Sequence, residues 1–188
     1  MSKIAMCVPT YKRADIINEL FFLQKELYER FDIDLYIYDS SPDDETEKIV
    51  KAWMSLKPNI YYIRISTEMS SNMKVYEIFK GYGLEKNYDY IWMRADYLRF
   101  TSNVLESVST DVKAGMYDII VTDWDDIYKI GNKTYNDQLS FFKDCCGCMT
   151  LYGSVILKKD SMLNGVNWSV LENKYNTPDK VYFSHVCF

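Results

Sequence analysis

Hydrophobic and polar positions along the first two thirds of the chain alternate between two patterns. Short runs dense in β-branched and aromatic residues occur at 3–8 (KIAMCV), 33–39 (IDLYIYD), 59–65 (NIYYIRI), 88–93 (YDYIWM) and 117–123 (YDIIVTD). Runs of this length and composition form buried strands. Between them, apolar residues recur at helical spacing: Ile16, Leu20, Leu23 and Leu27; Ile49, Trp53 and Leu56; Val75, Ile78, Phe79 and Tyr82; Val104, Val108 and Val112. Alternating strand and helix predicts an α/β fold, a mostly parallel central sheet flanked by helices. The second helix has an explicit start signal: Ser41 as cap, Pro42 at the first helical position and Asp44 three residues after Ser41, the order of a capping box.

After residue 123 the pattern changes. Residues 126–137 (DIYKIGNKTYND) read as a hairpin turning at Gly131–Asn132, and 149–162 (MTLYGSVILKKDSM) as a strand followed by a short helix. No internal repeat and no Pro/Gly/Ser-rich linker divides the 188 residues, so they form one domain. Within it, 1–122 make the regular half and 123–188 a smaller mixed extension. The final run, KVYFSHVCF (180–188), lacks the polar tail that normally closes a domain. It reads as the interior of a longer protein.

Composition narrows the function classes. A formal net charge of −5 leaves no broad positive field for a nucleic-acid backbone, although Lys12–Arg13 and Lys158–Lys159 are local basic spots. The apolar run near the N-terminus is too short for a signal peptide, and no stretch is long enough for a transmembrane segment. Five cysteines without a regular framework predict free thiols in a reducing, cytoplasmic setting. Cys145, Cys148, His185 and Cys187 have the residue types of a Cys₃His zinc shell. However, the second pair is H-x-C, and Cys146 and Cys187 stand among apolar residues, where cysteine packs as a small hydrophobe. His185 is the single histidine and, at the end of an apolar run, reads as a packing residue.

In an open parallel sheet, ligands bind beyond the carboxyl ends of the strands. The residues there are Pro9–Thr10–Tyr11, Asp39–Ser40–Ser41, Ser66–Thr67 and Arg94–Ala95–Asp96. Among these, Ser41 reads as a helix cap and Asp39 as a ligand. There is no G-x-G-x-x-G and no G-x-x-x-x-G-K-[ST], which argues against a dinucleotide dehydrogenase and a P-loop NTPase. VPTYKR has no glycine, which argues against a nucleotidyltransferase.

Three segments, IAMCVPTYKRADIINELFFLQ, IDLYIYDSSPDDETEKIV and YDYIWMRADYLRF, together resemble the opening of the GT-A-fold, inverting nucleotide-sugar glycosyltransferases. That family's usual pattern is V-P-T-Y-N-R, then a strand ending D-x-S-x-D-x-T, then a strand ending in a D-x-D metal motif. The resemblance spans residues 3–100 and implies a nucleotide-sugar-binding half at 1–122 and an acceptor-side half at 123–188. Pro9, Thr10, Tyr11 and Arg13 would lie beside the nucleotide, and Asp39 would accept from its base or ribose. Asn72 and Lys74 would contact the donor from a helix start, where anions are favoured. Asp96 would be the catalytic acid of the metal motif, binding Mn²⁺ or Mg²⁺ against the donor's diphosphate. Only one acid stands in Ala95–Asp96–Tyr97, so the ion would be held weakly without nucleotide. Arg94 and Arg99 are cations that could supplement or replace it.

The implied activity is transfer of a sugar from a nucleoside-diphosphate donor, UDP first among them, to a glycan or lipid-linked acceptor. The implied setting is bacterial surface polysaccharide synthesis, with peripheral membrane association through such an acceptor. The alternative is a non-catalytic nucleotide-sugar-binding module. Asp125, Asp126 and Asp179 are candidate bases by residue type alone, and TDWDD (122–126) reads as a solvated loop. Trp92 alternates within a strand and reads as core, whereas Trp124 and Trp168 offer flat faces to sugar rings.

Overall fold

The computed structural model describes residues 3–85, 87–123, 130–165 and 167–169. Six strands, β1 (Ile4–Thr10), β2 (Ile33–Asp39), β3 (Ile60–Arg64), β4 (Tyr90–Met93), β5 (Ile119–Val121) and β6 (Val155–Lys158), form one sheet in the order β3-β2-β1-β4-β6-β5. Strands β3, β2, β1 and β4 run parallel, and β6 is antiparallel to both its neighbours. The helices are α1 (Ala14–Arg30), α2 (Glu45–Met54), α3 (Ser71–Glu85), α4 (Ser102–Ala114), α5 (Gln138–Met149) and α6 (Lys159–Gly165). The mostly parallel α/β sandwich expected from the strand and helix alternation is what the chain adopts.

Strand alternation sorts the side chains into two cores. On one face, Ile4, Met6 and Val8, Ile33, Leu35 and Ile37, and Tyr90 and Trp92 pack against α1, α2 and α4. On the other, Ala5, Cys7, Tyr36, Tyr38, Ile91 and Met93 pack against α3, α5 and α6. Helix α4 is closed at both ends by its sequence. The Thr101 hydroxyl accepts from Val104 N at 3.4 Å, and Gly115 takes the left-handed φ of 66°, as a helix C-terminus favours. None of the described helices is long and apolar enough to cross a membrane.

Three expectations change. Helix α2 begins at Glu45, not Pro42, and its cap Asp44 makes no side-chain capping bond. The reason is that Ser41 is buried and its hydroxyl is engaged elsewhere, accepting from Lys12 N at 2.7 Å and donating to Asp39. Residues 130–137 contain no strand, so no hairpin turns at Gly131–Asn132 among the described residues. They lead instead into α5, whose cap Asp137 accepts from Ser140 N at 2.8 Å. That helix went unpredicted because its buried positions are cysteines, Cys145 and Cys148, followed by Met149. Trp124, Asp125, Asp126, Asp179, His185 and Cys187 lie outside the described residues.

The amino edge of the sheet carries a buried polar cluster. Asp34 accepts from the Tyr88 hydroxyl and pairs with Lys3 Nζ at 3.5 Å. The Tyr36 and Tyr88 hydroxyls lie 2.6 Å apart, and the Tyr36 ring stacks on Tyr61 at 4.4 Å. Burial pushes the Tyr36 phenol up to about 12 from an ordinary 10.0. A raised phenol pKa means the folded state holds the proton more tightly, so the stabilisation is complete below about pH 10 and is lost as pH rises towards 12. The melting temperature should therefore fall between pH 10 and 12, and Tyr36→Phe should make that fall shallower. An identical fall in the variant, followed by circular dichroism, would contradict this account of the cluster.

Candidate functional site

The carboxyl ends of the first three strands stop level with one another, because Thr10 pairs in register with Asp39 and Asp39 with Arg64. Two hydrogen bonds tie the adjacent turns: Ser40 N donates to Thr10 O at 3.2 Å and Lys12 N to the Ser41 hydroxyl at 2.7 Å. Lys12 adopts a positive φ of 52°, uncommon outside glycine. This tight turn leaves the Tyr11 ring 46 % exposed. Lys12 Nζ lies 5.6 Å and Lys74 Nζ 5.4 Å from its centroid. Lys74 stands in the first turns of α3, and burial lowers its pKa while Asp39 opposes that shift. Asn72 lies in the same first turn, and Pro9 is half-buried opposite Tyr38 in the β1–β2 ladder.

Asp39 is fully buried at the end of β2. It accepts from Ser41 N at 2.8 Å, from the Ser41 hydroxyl, and from the Tyr62 hydroxyl at 2.9 Å. Arg64 stands 3.7 Å away and donates to Ser41 O, to Asp43 O at 2.8 Å and to Glu47 at 2.8 Å. Asp39 thus shapes the 39–43 turn. Burial first, and then Asp39, push the Tyr62 phenol up. Tyr62 and Arg64 are site-supporting residues that sequence reasoning missed. The signal was present in NIYYIRI, whose alternation puts both on the face that Asp39 shares.

Asp96, three residues beyond β4, is 4 % exposed. The Thr10 hydroxyl donates to its Oδ2 at 2.9 Å, and an Arg13 guanidinium N–H donates to its Oδ1 at 2.9 Å. Arg13 precedes α1 immediately, and its side chain remains 46 % exposed. Thr10, Tyr11, Arg13, Asp39, Lys74 and Asp96 therefore converge on one edge.

Arg94 does not join them. Alternation along β4 continues the series Tyr90, Trp92, Arg94, which puts this side chain between the sheet and α1, where it is fully buried. Its guanidinium donates to the Tyr28 hydroxyl, to Leu98 O and to Gln24 Oε1 at 3.4 Å, and lies 5.0 Å from the Phe100 ring centroid. The expected phosphate contact is replaced by a structural role: Arg94 fastens the 95–100 loop to α1. Gln24 assists by donating to Phe100 O at 2.6 Å. Arg99 also turns inward, donating to Asp96 O and Leu98 O, each at 2.9 Å. From the far side, Gly153 receives the loop. A Cβ there would fall 2.4 Å from Leu98 Cδ1, and its φ is 107°.

The donor set at Asp96 does not fit a resident divalent cation. It offers one carboxylate, with Arg13 on one oxygen and Thr10 on the other. Mg²⁺ and Mn²⁺ require several oxygen ligands. Among the described residues, no three His, Cys, Asp or Glu side chains are grouped to hold a metal. Cys7, Cys145, Cys146 and Cys148 are free thiols. Trp168 packs edge-on against Tyr76 with ring centroids 6.0 Å apart.

The strand order and register form a GT-A-like fold, as the sequence resemblance implied. No protein-family model matches the chain, and no curated protein sequence does. Solved structures do match in fold. Staphylococcus aureus TarS 1–349, in complex with UDP-GlcNAc, aligns with a TM-score of 0.60 at 14 % identity over 87 % of this chain and 47 % of that one. The mannosyltransferase PcManGT from Pyrobaculum calidifontis, in complex with GDP-Man and Mn²⁺, aligns with a TM-score of 0.54 at 14 % identity over 87 % and 46 % of the two chains. The galactosyltransferase LgtC, in complex with donor and acceptor sugar analogs, aligns with a TM-score of 0.54 at 11 % identity over 97 % and 68 %. The chain spans about half the length of the TarS and PcManGT chains it matches.

The seat of the Asp96 loop is directly testable. Gly153→Ala meets both a steric clash and an unfavourable φ, and should destabilise the fold by about 1–3 kcal/mol. Adding Leu98→Ala should remove the clash, so the double variant should be more stable than the sum of the two single losses. Simple additivity in urea unfolding would contradict the contact.

Proposed function

We propose that the protein is a glycosyltransferase of GT-A type, or the donor-binding half of one, acting on a nucleoside-diphosphate sugar. One observation carries this reading: an exposed aromatic ring, Tyr11, has the ammonium groups of Lys12 and Lys74 5.6 and 5.4 Å from its centroid and stands two residues before the half-exposed Arg13. A flat ring suits a nucleobase, and three cations around it suit a diphosphate. UDP is the first donor to test. The matched structures with UDP-GlcNAc and GDP-Man support the ligand class, and Pro9 and Asn72 border the same edge.

In this reading Tyr11 and Pro9 flank the base, and Asp39, fully buried, acts on the nucleotide side through the 39–43 turn that it holds with Ser41 and Tyr62. Transfer proceeds by inverting displacement. The acceptor hydroxyl oxygen bonds to the anomeric carbon, the bond from that carbon to the diphosphate oxygen breaks, and its electron pair stays on the nucleoside diphosphate. The hydroxyl proton passes to a carboxylate of the acceptor half, for which Asp125, Asp126 and Asp179 are candidates. The acceptor in this reading is a glycan or a lipid-linked sugar of bacterial surface polysaccharide synthesis, met at the membrane surface by a cytoplasmic protein. Asp96 holds Thr10 on one oxygen and Arg13 on the other, and in this reading transfer uses no Mn²⁺ or Mg²⁺ at that carboxylate. The pairing of Asp96 with Arg13 favours a second reading, a nucleotide-sugar-binding module without catalysis.

A thermal-shift screen with UDP, GDP, ADP, CDP and dTDP tests the proposal. One of them should raise the melting temperature, since a ligand at 100 times its Kd adds about 2.7 kcal/mol to a folded state that alone binds it. Tyr11→Ala, an exposed change, should weaken that ligand by about 1–3 kcal/mol through lost stacking. Five silent nucleotides would sink the reading, and undiminished binding by the variant would take Tyr11 out of the site.

A further inference from the structure

We infer that Arg13 is the built-in counter-cation for the donor's diphosphate, that Asp96 is there to hold it, and that donor binding requires no divalent ion. This rests on the nucleotide-sugar reading above and deepens it.

The geometry of the pair carries the argument. Asp96 is almost wholly buried, whereas nearly half of the Arg13 side chain faces solvent. A buried carboxylate needs full compensation, and Asp96 obtains it from Thr10 and from one guanidinium nitrogen. A guanidinium has five N–H donors in a fixed fork, so the bond to Asp96 leaves donors on its exposed side. That fork matches two phosphate oxygens, as an ion-bridged carboxylate would, but the positive charge is covalently part of the chain.

For a divalent ion to reach Asp96, Arg13 would have to leave Oδ1 and remain as a like charge beside the ion. That repulsion opposes the ion. Moving Asp96 instead is hindered by its loop, which Arg94, Arg99, Gln24 and Gly153 hold from three sides. The loop thus presents a fixed carboxylate, and the carboxylate fixes a guanidinium that would otherwise sample many rotamers. Lys12 and Lys74 both stand close to the Tyr11 ring, so the edge carries further positive charge without an ion. During transfer, the guanidinium N–H groups donate hydrogen bonds to the oxygen that gains the electron pair, and Arg13 keeps its own protons.

The test is calorimetric titration of UDP, GDP, ADP, CDP and dTDP into wild type, Arg13→Gln, Arg13→Lys and Asp96→Asn, each in EDTA and in Mn²⁺. Melting temperatures serve as the check on folding. Wild type should bind one nucleotide with the same affinity, within about twofold, in both buffers. Arg13→Gln should lose on the order of 10- to 100-fold, the span of a charge-assisted hydrogen bond to phosphate, and should bind the corresponding monophosphate with a much smaller loss. Arg13→Lys should recover part of the affinity, and Asp96→Asn should lose several-fold equally with and without Mn²⁺. Binding that appears only with Mn²⁺ and vanishes in Asp96→Asn would overturn the inference while leaving the nucleotide reading in place. Unchanged affinity in Arg13→Gln would overturn it as well. No binding of any of the five nucleotides in either buffer would remove both.

Discussion

A carboxylate with almost no access to water has to be paired, and the pairing of Asp96 organises the edge at which the parallel strands end. Its partners, Thr10 and Arg13, come from the end of β1 and the entry to α1. Asp96 therefore joins the central strand of the sheet to the strand beside it. Removing Arg13 would leave the buried carboxylate with the Thr10 hydroxyl but without its guanidinium, at a cost below the roughly 3–5 kcal/mol of a fully buried pair because Arg13 is itself half-exposed. The surrounding bonds make sense as its support. Arg94 and Gln24 fasten the 95–100 loop to α1, and the absence of a side chain at Gly153 lets Leu98 pack down upon it.

The second constraint is the two-residue period of the strands. It assigns Ile33, Leu35, Ile37 and then Asp39 to the face under α1 and α2, and Tyr62 and Arg64 to the same side. The polar residues that end these strands are thereby stacked above one apolar core. The same period takes Arg94 into that core, because Tyr90 and Trp92 precede it by four and two. Arg13 escapes that period because it stands outside the strands, at the entry to α1.

Much of this was readable in the chain. The β2 run at 33–39 was bounded to the residue, and four of the helices appear where apolar spacing puts them. Thr10, Tyr11, Asp39, Lys74 and Asp96 do converge. What could not be read depends on contacts between segments distant in sequence. Ser41 has every local mark of a helix cap, yet its hydroxyl serves Lys12 and Asp39. Helix α5 hides its apolar stripe in cysteines. The inward turn of Arg94 was legible by alternation, but its proximity to Asp96 in sequence suggested a shared ligand. No local pattern could indicate that Asp96 already holds Arg13, because 83 residues separate them.

A cation supplied by the chain differs from one supplied by solution in a way that a complex would display. The most direct measurement is a crystal structure with the nucleoside diphosphate selected by titration, grown in EDTA. The account predicts the base against Tyr11, a phosphate oxygen within hydrogen-bond distance of an Arg13 guanidinium nitrogen, and the Arg13–Asp96 pair intact. A nucleotide seated elsewhere would contradict it. So would a structure grown with Mn²⁺ in which the ion joins Asp96 to the diphosphate and Arg13 has swung away.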